Sequence, residues 1–306
     1  MTNRHLKRRQ LLDRAAEMLI FAFASIAIAI IFLIFVYIGR EALPLLWETT
    51  DGASIAGTVA PPVEWQPVST NPRYNVLPLL LGTLKVTLIA MLIGAPLALA
   101  AALYTSEFAP PRLREWIKPT IELLAGIPSV VMGFFALIVL ATFLQARFGF
   151  EFRLNALNAG IALALAIIPI IYTVSEDALT AVPQHYREAS LALGASKTQT
   201  AMRVVFPAAM PGVGAAMILG FGRAIGETMI VLMASGNAAY LSLSPVSSAR
   251  TLSATIAAEL GEVVFGGGHY RILFFLGTVL FGVTSILNLV GDRYNRRMRM
   301  KLFGAP

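Results

Sequence analysis

The sequence contains no cysteine among its 306 residues and only three histidines, His5, His185 and His269. Disulfides and thiolate metal sites are therefore excluded, and three histidines in three separate segments offer no metal-ligand set. Charge is scarce as well: 13% of residues are charged, against about 25% in an ordinary soluble domain. The charge present is unbalanced, with 24 Lys and Arg against 17 Asp and Glu, a net +7 and an isoelectric point near 9.9. Basic excess can signal nucleic acid, but that function needs a soluble face dense in Lys and Arg. Here the charges lie between long apolar runs, so no nucleic-acid partner is expected. No G-x-x-x-x-G-K-[ST] phosphate loop occurs, so this chain is not expected to bind ATP. Nothing assembles a Ser/His/Asp nucleophile, and no internal repeat is evident. With 57% hydrophobic residues and a mean hydropathy of +0.72, the chain reads as an integral membrane protein. Cytosolic enzymes, disordered proteins and secreted disulfide scaffolds are set aside.

About 20 apolar helical residues cross a hydrocarbon core of about 30 Å. Six runs qualify, at residues 18–38, 76–104, 119–145, 156–174, 211–235 and 272–290. The first follows Arg4, Lys7, Arg8, Arg9 and Arg14 and so resembles a signal peptide. It is too long for a signal core and no small-x-small cleavage site follows it, so it reads as a retained span. The second contains Pro96 and is longer than a perpendicular crossing needs, which predicts tilt or a kink.

Lys and Arg set the orientation. With the N-terminus inside, sixteen fall on the cytoplasmic side: five before the first span, then Arg112, Arg114, Lys118, Arg187, Lys197 and Arg203, then Arg293, Arg296, Arg297, Arg299 and Lys301. Six fall outside: Arg40, Arg73, Arg147, Arg153, Arg250 and Arg271. Both termini are therefore expected in the cytoplasm. Lys85 and Arg223 alone remain within spans.

The segment 39–75, acidic through Glu41, Glu48, Asp51 and Glu64, reads as an external loop with little helix. In the other long external segment, 236–270, Leu252, Ile256, Leu260 and Val263 recur at helical spacing. A short amphipathic helix over 251–264, ended by Gly266-Gly267-Gly268, is expected at the outer surface. Asn288 in the last span reads as a helix–helix hydrogen bond.

Two stretches carry function. In the cytoplasmic run from Pro183 to Pro207, Pro183 suits a first helical turn and Gly194 a helix end. Ser196 with Gln199 has capping-box spacing for a second helix, which Pro207 should stop. In the fifth span, Arg223 lies twelve residues beyond Pro211, about 18 Å along the helix. Glu227 follows four residues later on the same face. A charge there is costly and should face protein or water. Gly222 and Gly226 form G-x-x-x-G, which admits a close helix neighbour. Two compatible readings stay open. Arg223 and Glu227 form an ion pair fixing a helix interface, or Arg223 is a fixed cation on an anion path, gripping an oxyanion with its planar fork. Lys85 is either a second path charge or a lysine reaching for the outer interface or a carboxylate.

Glu188-Ala189-Ser190, Gly194 and Val204-Val205-Phe206-Pro207 fall at the spacings of E-A-A, G and I-x-L-P, the pattern this stretch shares by resemblance with the EAA loop of ABC importer permeases. Arg223-Ala-Ile-Gly-Glu227-Thr228 followed by Met-Ile-Val resembles the R-A-x-G-E-T-M-x-V segment of PstC-type permeases of phosphate-specific ABC transporters. Leu124-Ala-Gly-Ile-Pro-Ser-Val130, read as part of the third span, and the run Arg250 to Leu260 agree, and the likeness covers roughly residues 76–292. The resemblance implies an all-α fold of six transmembrane helices of the MetI-like type, in a bacterial cytoplasmic (inner) membrane. It implies an N-terminal part (1–75), a permease core (76–292) with a coupling loop (183–207), and a basic tail (293–306). It implies coupling to a separate ATPase, present in two copies and binding ATP and Mg, through Glu188, Ala189, Gly194 and Pro207. It implies a PstA-type partner permease, an external phosphate-binding protein docking on 39–75 and 236–270, and a substrate path through Arg223, Glu227 and Thr228. An importer of another oxyanion such as sulfate or molybdate is the nearest alternative, and an ion-coupled carrier or channel the next.

Overall fold

The computed structural model describes residues 2–47, 53–239 and 241–303; Glu48 and Asp51 of the acidic loop lie outside the described residues. Helix dominates. α1 (Thr2–Ala42) runs into a 3-10 turn, Leu43–Leu46. α2 (Ile55–Val59) and an antiparallel ribbon of β1 (Trp65–Gln66) and β2 (Arg73–Tyr74) occupy the next loop. Then come α3 (Leu77–Phe108), α4 (Pro111–Ala125), α5 (Ser129–Phe148) and α6 (Ala156–Thr180). α7 (Gln184–Ala192), α8 (Lys197–Gly226), α9 (Met229–Ala234), α10 (Leu252–Glu259) and α11 (Gly268–Phe303) complete the described order.

Six segments among the described residues are long and apolar enough to cross a membrane: Asp13–Leu46, α3, α5, α6, α8 and Gly268–Met298. The six expected spans are found, but the third begins later than residue 119. Residues 119–125 belong to α4, an amphipathic helix with no buried residue and with Trp116 76% exposed. Gly126-Ile127-Pro128 then breaks the helix, because Pro128 lacks an N–H and disfavours helical geometry at the residue before it. Lys118 fastens α4 to α6, donating to Glu176 Oε2 and Asp177 Oδ1, both at 2.8 Å. Those hydrogen bonds, Asp177's first, hold the lysine above its usual range.

Phe35 meets Phe281 with ring centroids 4.8 Å apart, and Tyr37 meets Phe274 at 5.8 Å. α1 and α11 are therefore antiparallel, and both termini lie at one end of the bundle, the tail face. α3, α6 and α8 form the centre, where small residues let backbones approach. A methyl at Gly160 would strike Ile89, one at Gly212 would strike Ala178, and one at Gly220 would strike Ile171. The close approach expected at Gly222 and Gly226 is not there within this chain. Gly226 has nothing within 4 Å, and a methyl on Gly222 would stand 4.0 Å from Asn288 Oδ1. Asn288 itself is exposed.

Gly212→Leu should therefore overpack the α6–α8 seam and cost about 1–3 kcal/mol. Gly282, with nothing within 4 Å, should accept leucine at no such cost. Thermal unfolding of the two variants in detergent measures the contrast.

Candidate functional site

The fifth span is not continuous. α8 stops at Gly226, Glu227 is extended (φ −67°, ψ 132°), and α9 begins at Met229. Arg223 consequently sits in the last turn of α8 rather than midway along an unbroken helix. It is exposed and makes no ion pair or hydrogen bond with the described residues. Glu227 is 9% exposed, and its Oε1 accepts from Ile230 N at 3.4 Å, serving the first turn of α9. The ion pair between Arg223 and Glu227 is absent, and the two do not share a helix face, because the helix ends between them. Thr228 Oγ1 donates to Gly226 O at 3.3 Å, within the gap. Another element closes it: Ser253 Oγ donates to Glu227 O at 2.8 Å.

Ser253 belongs to α10, which differs from the expected surface helix over 251–264. It ends at Glu259, and its first turn is inserted into the bundle, with Thr251 through Thr255 all buried. Leu252 N donates to Thr83 Oγ1 of α3 at 3.1 Å, and Thr251 Oγ1 accepts from Ala254 N as the helix cap. Burial follows from these contacts, since the polar residues of the turn find partners inside. A groove of about 530 Å³ runs beside the gap, lined by Gly226, Thr228, Ser253, Ile256, Ala257 and Leu260 among others.

Lys85 is buried in α3. Its Nζ donates to Ser242 O (3.0 Å), Ser244 O (3.1 Å) and Ser247 Oγ (2.9 Å). All three ammonium protons hold the loop before α10, and no carboxylate is involved. The same loop is tied at Ser235 Oγ to Ala249 O (2.7 Å), while Asn158 Nδ2 donates to Ala234 O at 2.9 Å. At its outer end α10 presents Glu259 to Arg250, to His269 Nε2 at 2.9 Å and to Trp65 Nε1 at 3.1 Å. Burial pushes the Glu259 carboxyl up, but the hydrogen bond with His269, the Arg250 charge and the indole N–H outweigh it. The group lies below its usual range.

On the tail face the expected turn is found. Pro183 precedes α7 as its N-cap, Gly194 takes φ +85°, and Ser196 and Gln199 form a capping box. The positive φ is a conformation a side chain disfavours, which accounts for glycine there. Pro207 does not stop the second helix, however. α8 continues through it, because a π turn at Ala201–Val205 shifts the hydrogen-bond register ahead of the proline. Glu188, Ala189 and Gly194 are exposed, and Leu193 is 89% exposed. The inner side is fixed by Arg187, which grips Glu107 Oε1 at 2.7 Å and the carbonyls of Leu179 and Val182 at 2.9 and 2.6 Å. The Arg187–Glu107 clamp, the role of Ser253 and the destination of Lys85 are not foreseen in the sequence. Each stands in or at a feature already marked (Arg187 one residue before Glu188, Ser253 within the run Arg250 to Leu260, and Lys85 itself), but the contacts each makes are tertiary.

Residues 94–300 match the family described as "Binding-protein-dependent transport system inner membrane component". A Bacillus subtilis protein, "Probable ABC transporter permease protein YqgH", is 37% identical over 94% of this chain and 92% of its own length. A Xylella fastidiosa "Phosphate transport system permease protein PstC" is 33% identical over 96% of this chain and 94% of its own. The chain is a PstC-type member of this permease family. Solved structures agree on the fold. The bacterial alginate ABC transporter in complex with its pentasaccharide-bound periplasmic protein aligns with a TM-score of 0.61 at 18% identity, over 94% of this chain and 96% of that one. An inward-facing MetNI methionine ABC transporter aligns at 0.56 and 19% identity, over 72% of this permease and 95% of that chain. The permease is thus a MetI-like, multi-pass membrane subunit.

Two outcomes follow for the permease. Lys85→Met, which removes three hydrogen bonds from a charged donor, should cost about 1.5–3 kcal/mol, read as a lower melting temperature and faster proteolysis of the 241–250 loop. The Glu259 pKa is depressed on folding, so its stabilisation is complete above the unfolded value and is lost as pH falls through the folded one. With Trp47 and Trp116 replaced by Phe, Trp65 emission should hold steady from about pH 7 to 5 and shift only below about pH 4. A shift well above the ordinary carboxylate range would contradict control by Glu259.

Proposed function

We propose that this permease carries inorganic phosphate into the cytoplasm as one membrane subunit of an ATP-driven importer. The observation that carries the reading is the unpaired guanidinium of Arg223 at the broken end of α8, in the run Arg223–Val231. A cation without a protein partner can meet an oxyanion in bidentate fashion, whereas one already paired would first have to be freed. Phosphate near neutral pH is a mixture of mono- and dianion, and a fixed positive charge offsets part of its desolvation. The PstC name of relatives about one-third identical supports phosphate over other oxyanions. Thr228 supplies a hydroxyl beside the path, and Glu227 keeps the first turn of α9 in place. Lys85, its protons all engaged, is assigned to the loop and not to the path.

The Lys and Arg bias supports a reading in which the tail face, and with it both termini, faces the cytoplasm of a bacterial inner membrane. α7 then projects toward the partner ATPase, which binds ATP and Mg in two copies, with Glu188, Ala189 and Gly194 at the docking surface and Pro207 where the coupling loop enters the span. The firm hold of Arg187 on Glu107 would let α7 pass a push from the ATPase into α3 and α6 without bending. Alternating access then opens a path between this chain and a PstA-type partner, first outward and then inward. An external binding protein delivers phosphate to the 39–75 and 236–270 segments.

Arg223→Gln should lower phosphate uptake by about a hundredfold or more, the scale of losing one preorganised donor to a charge, while the ATPase still co-purifies. Loss of assembly would make Arg223 a structural residue. Gly194→Val, which cannot hold φ +85° without strain, should weaken ATPase co-purification; unchanged co-purification and uptake would remove the coupling assignment.

A further inference from the structure

A helix that ends among other helices leaves its last carbonyls without intrahelical donors. Glu227 O is one such group, and Ser253 Oγ satisfies it from α10 at 2.8 Å. Among the described residues, this is the side-chain hydrogen bond that crosses from the external segment to the gap itself. We infer that Ser253 is a positioning residue, holding the Glu227–Thr228 backbone where Arg223 and Thr228 face one path and transmitting movements of the external loop to it. The inference rests on the reading of that gap as part of the anion path.

Three observations support it. Ser253 is buried, so its hydroxyl is not exchanged freely for water. The turn that carries it is anchored away from the gap, at Thr83 on one side and through Glu259 to Trp65 and His269 on the other. A shift of the outer segment therefore moves Ser253 with α10, whereas Arg223 stays with α8. Finally, Ser253 borders the groove of about 530 Å³ beside the gap. Threonine keeps the hydroxyl, while alanine removes it with little change of shape.

The test uses the complete transporter, with partner permease, ATPases and external binding protein, reconstituted in vesicles. Phosphate delivered per ATP hydrolysed is measured for wild type, Ser253→Ala and Ser253→Thr. The ratio is taken per assembled complex, so reduced folding alone does not move it. Ser253→Ala should lower it about three- to tenfold, the scale of one buried hydrogen bond, and Ser253→Thr should restore it to within about twofold. An unchanged ratio in Ser253→Ala overturns the proposal. So does an equal loss in Ser253→Thr, which would point to side-chain shape, and so does failure of Ser253→Ala to assemble, which would make the hydroxyl a folding requirement. If wild type delivers no phosphate, the phosphate reading fails separately, and the same ratio is read on the oxyanion that it does deliver.

Discussion

A helix interrupted inside an apolar bundle cannot leave its backbone polar groups bare, because no bulk water is present to take them. The gap between α8 and α9 imposes that constraint on this permease, and much of the surrounding structure meets it. Glu227 turns its carboxylate to the first turn of α9 instead of to Arg223. α10 enters the bundle with a buried first turn so that Ser253 can reach the gap. The loop leading to α10 is in turn secured by Lys85 and by the serines around Ser248. Irregular backbone of this kind is tolerated in membrane proteins where it is covered by protein or lines a path.

The same constraint explains how a chain poor in charge spends its cations. Lys85 holds a loop, Lys118 holds the amphipathic α4, Arg187 holds the start of α7 and Arg250 joins the Glu259 cluster. Each is committed to fastening one element to another. Arg223, by contrast, meets no partner among the described residues. An unengaged guanidinium at the helix break is what the proposed substrate role requires.

The fold class was legible because span length and charge asymmetry are properties of single segments. The six apolar runs, the capping box at Ser196 and the glycine turn at Gly194 needed no knowledge of their neighbours. What failed depended on tertiary contacts. Continuous apolar character hid the break at Gly226, and counting four residues from Arg223 to Glu227 assumed a helix that the inserted α10 replaces. Spacing alone could not tell that residues 251–255 are buried, since an amphipathic pattern serves an outer surface and a re-entrant turn equally well. Pro207 was a plausible stop until the π turn before it removed the conflict, and the run 119–125 was apolar enough to extend a span that Pro128 in fact interrupts. The G-x-x-x-G pair marked closeness in the right helix, but the seam with α6 runs along Gly212 and Gly220.

Taken together, the broken helix, the unpartnered Arg223 and the PstC-type family membership support the proposed phosphate path, powered from the tail face. The most direct measurement is competition for uptake in vesicles containing the wild-type chain with its partner permease, ATPases and external binding protein. Labelled phosphate should enter only when ATP is supplied on the tail-face side, and a large excess of sulfate or molybdate should leave its entry unchanged. Entry without ATP, or equal displacement of phosphate by either oxyanion, would contradict a phosphate-specific ATP-driven importer.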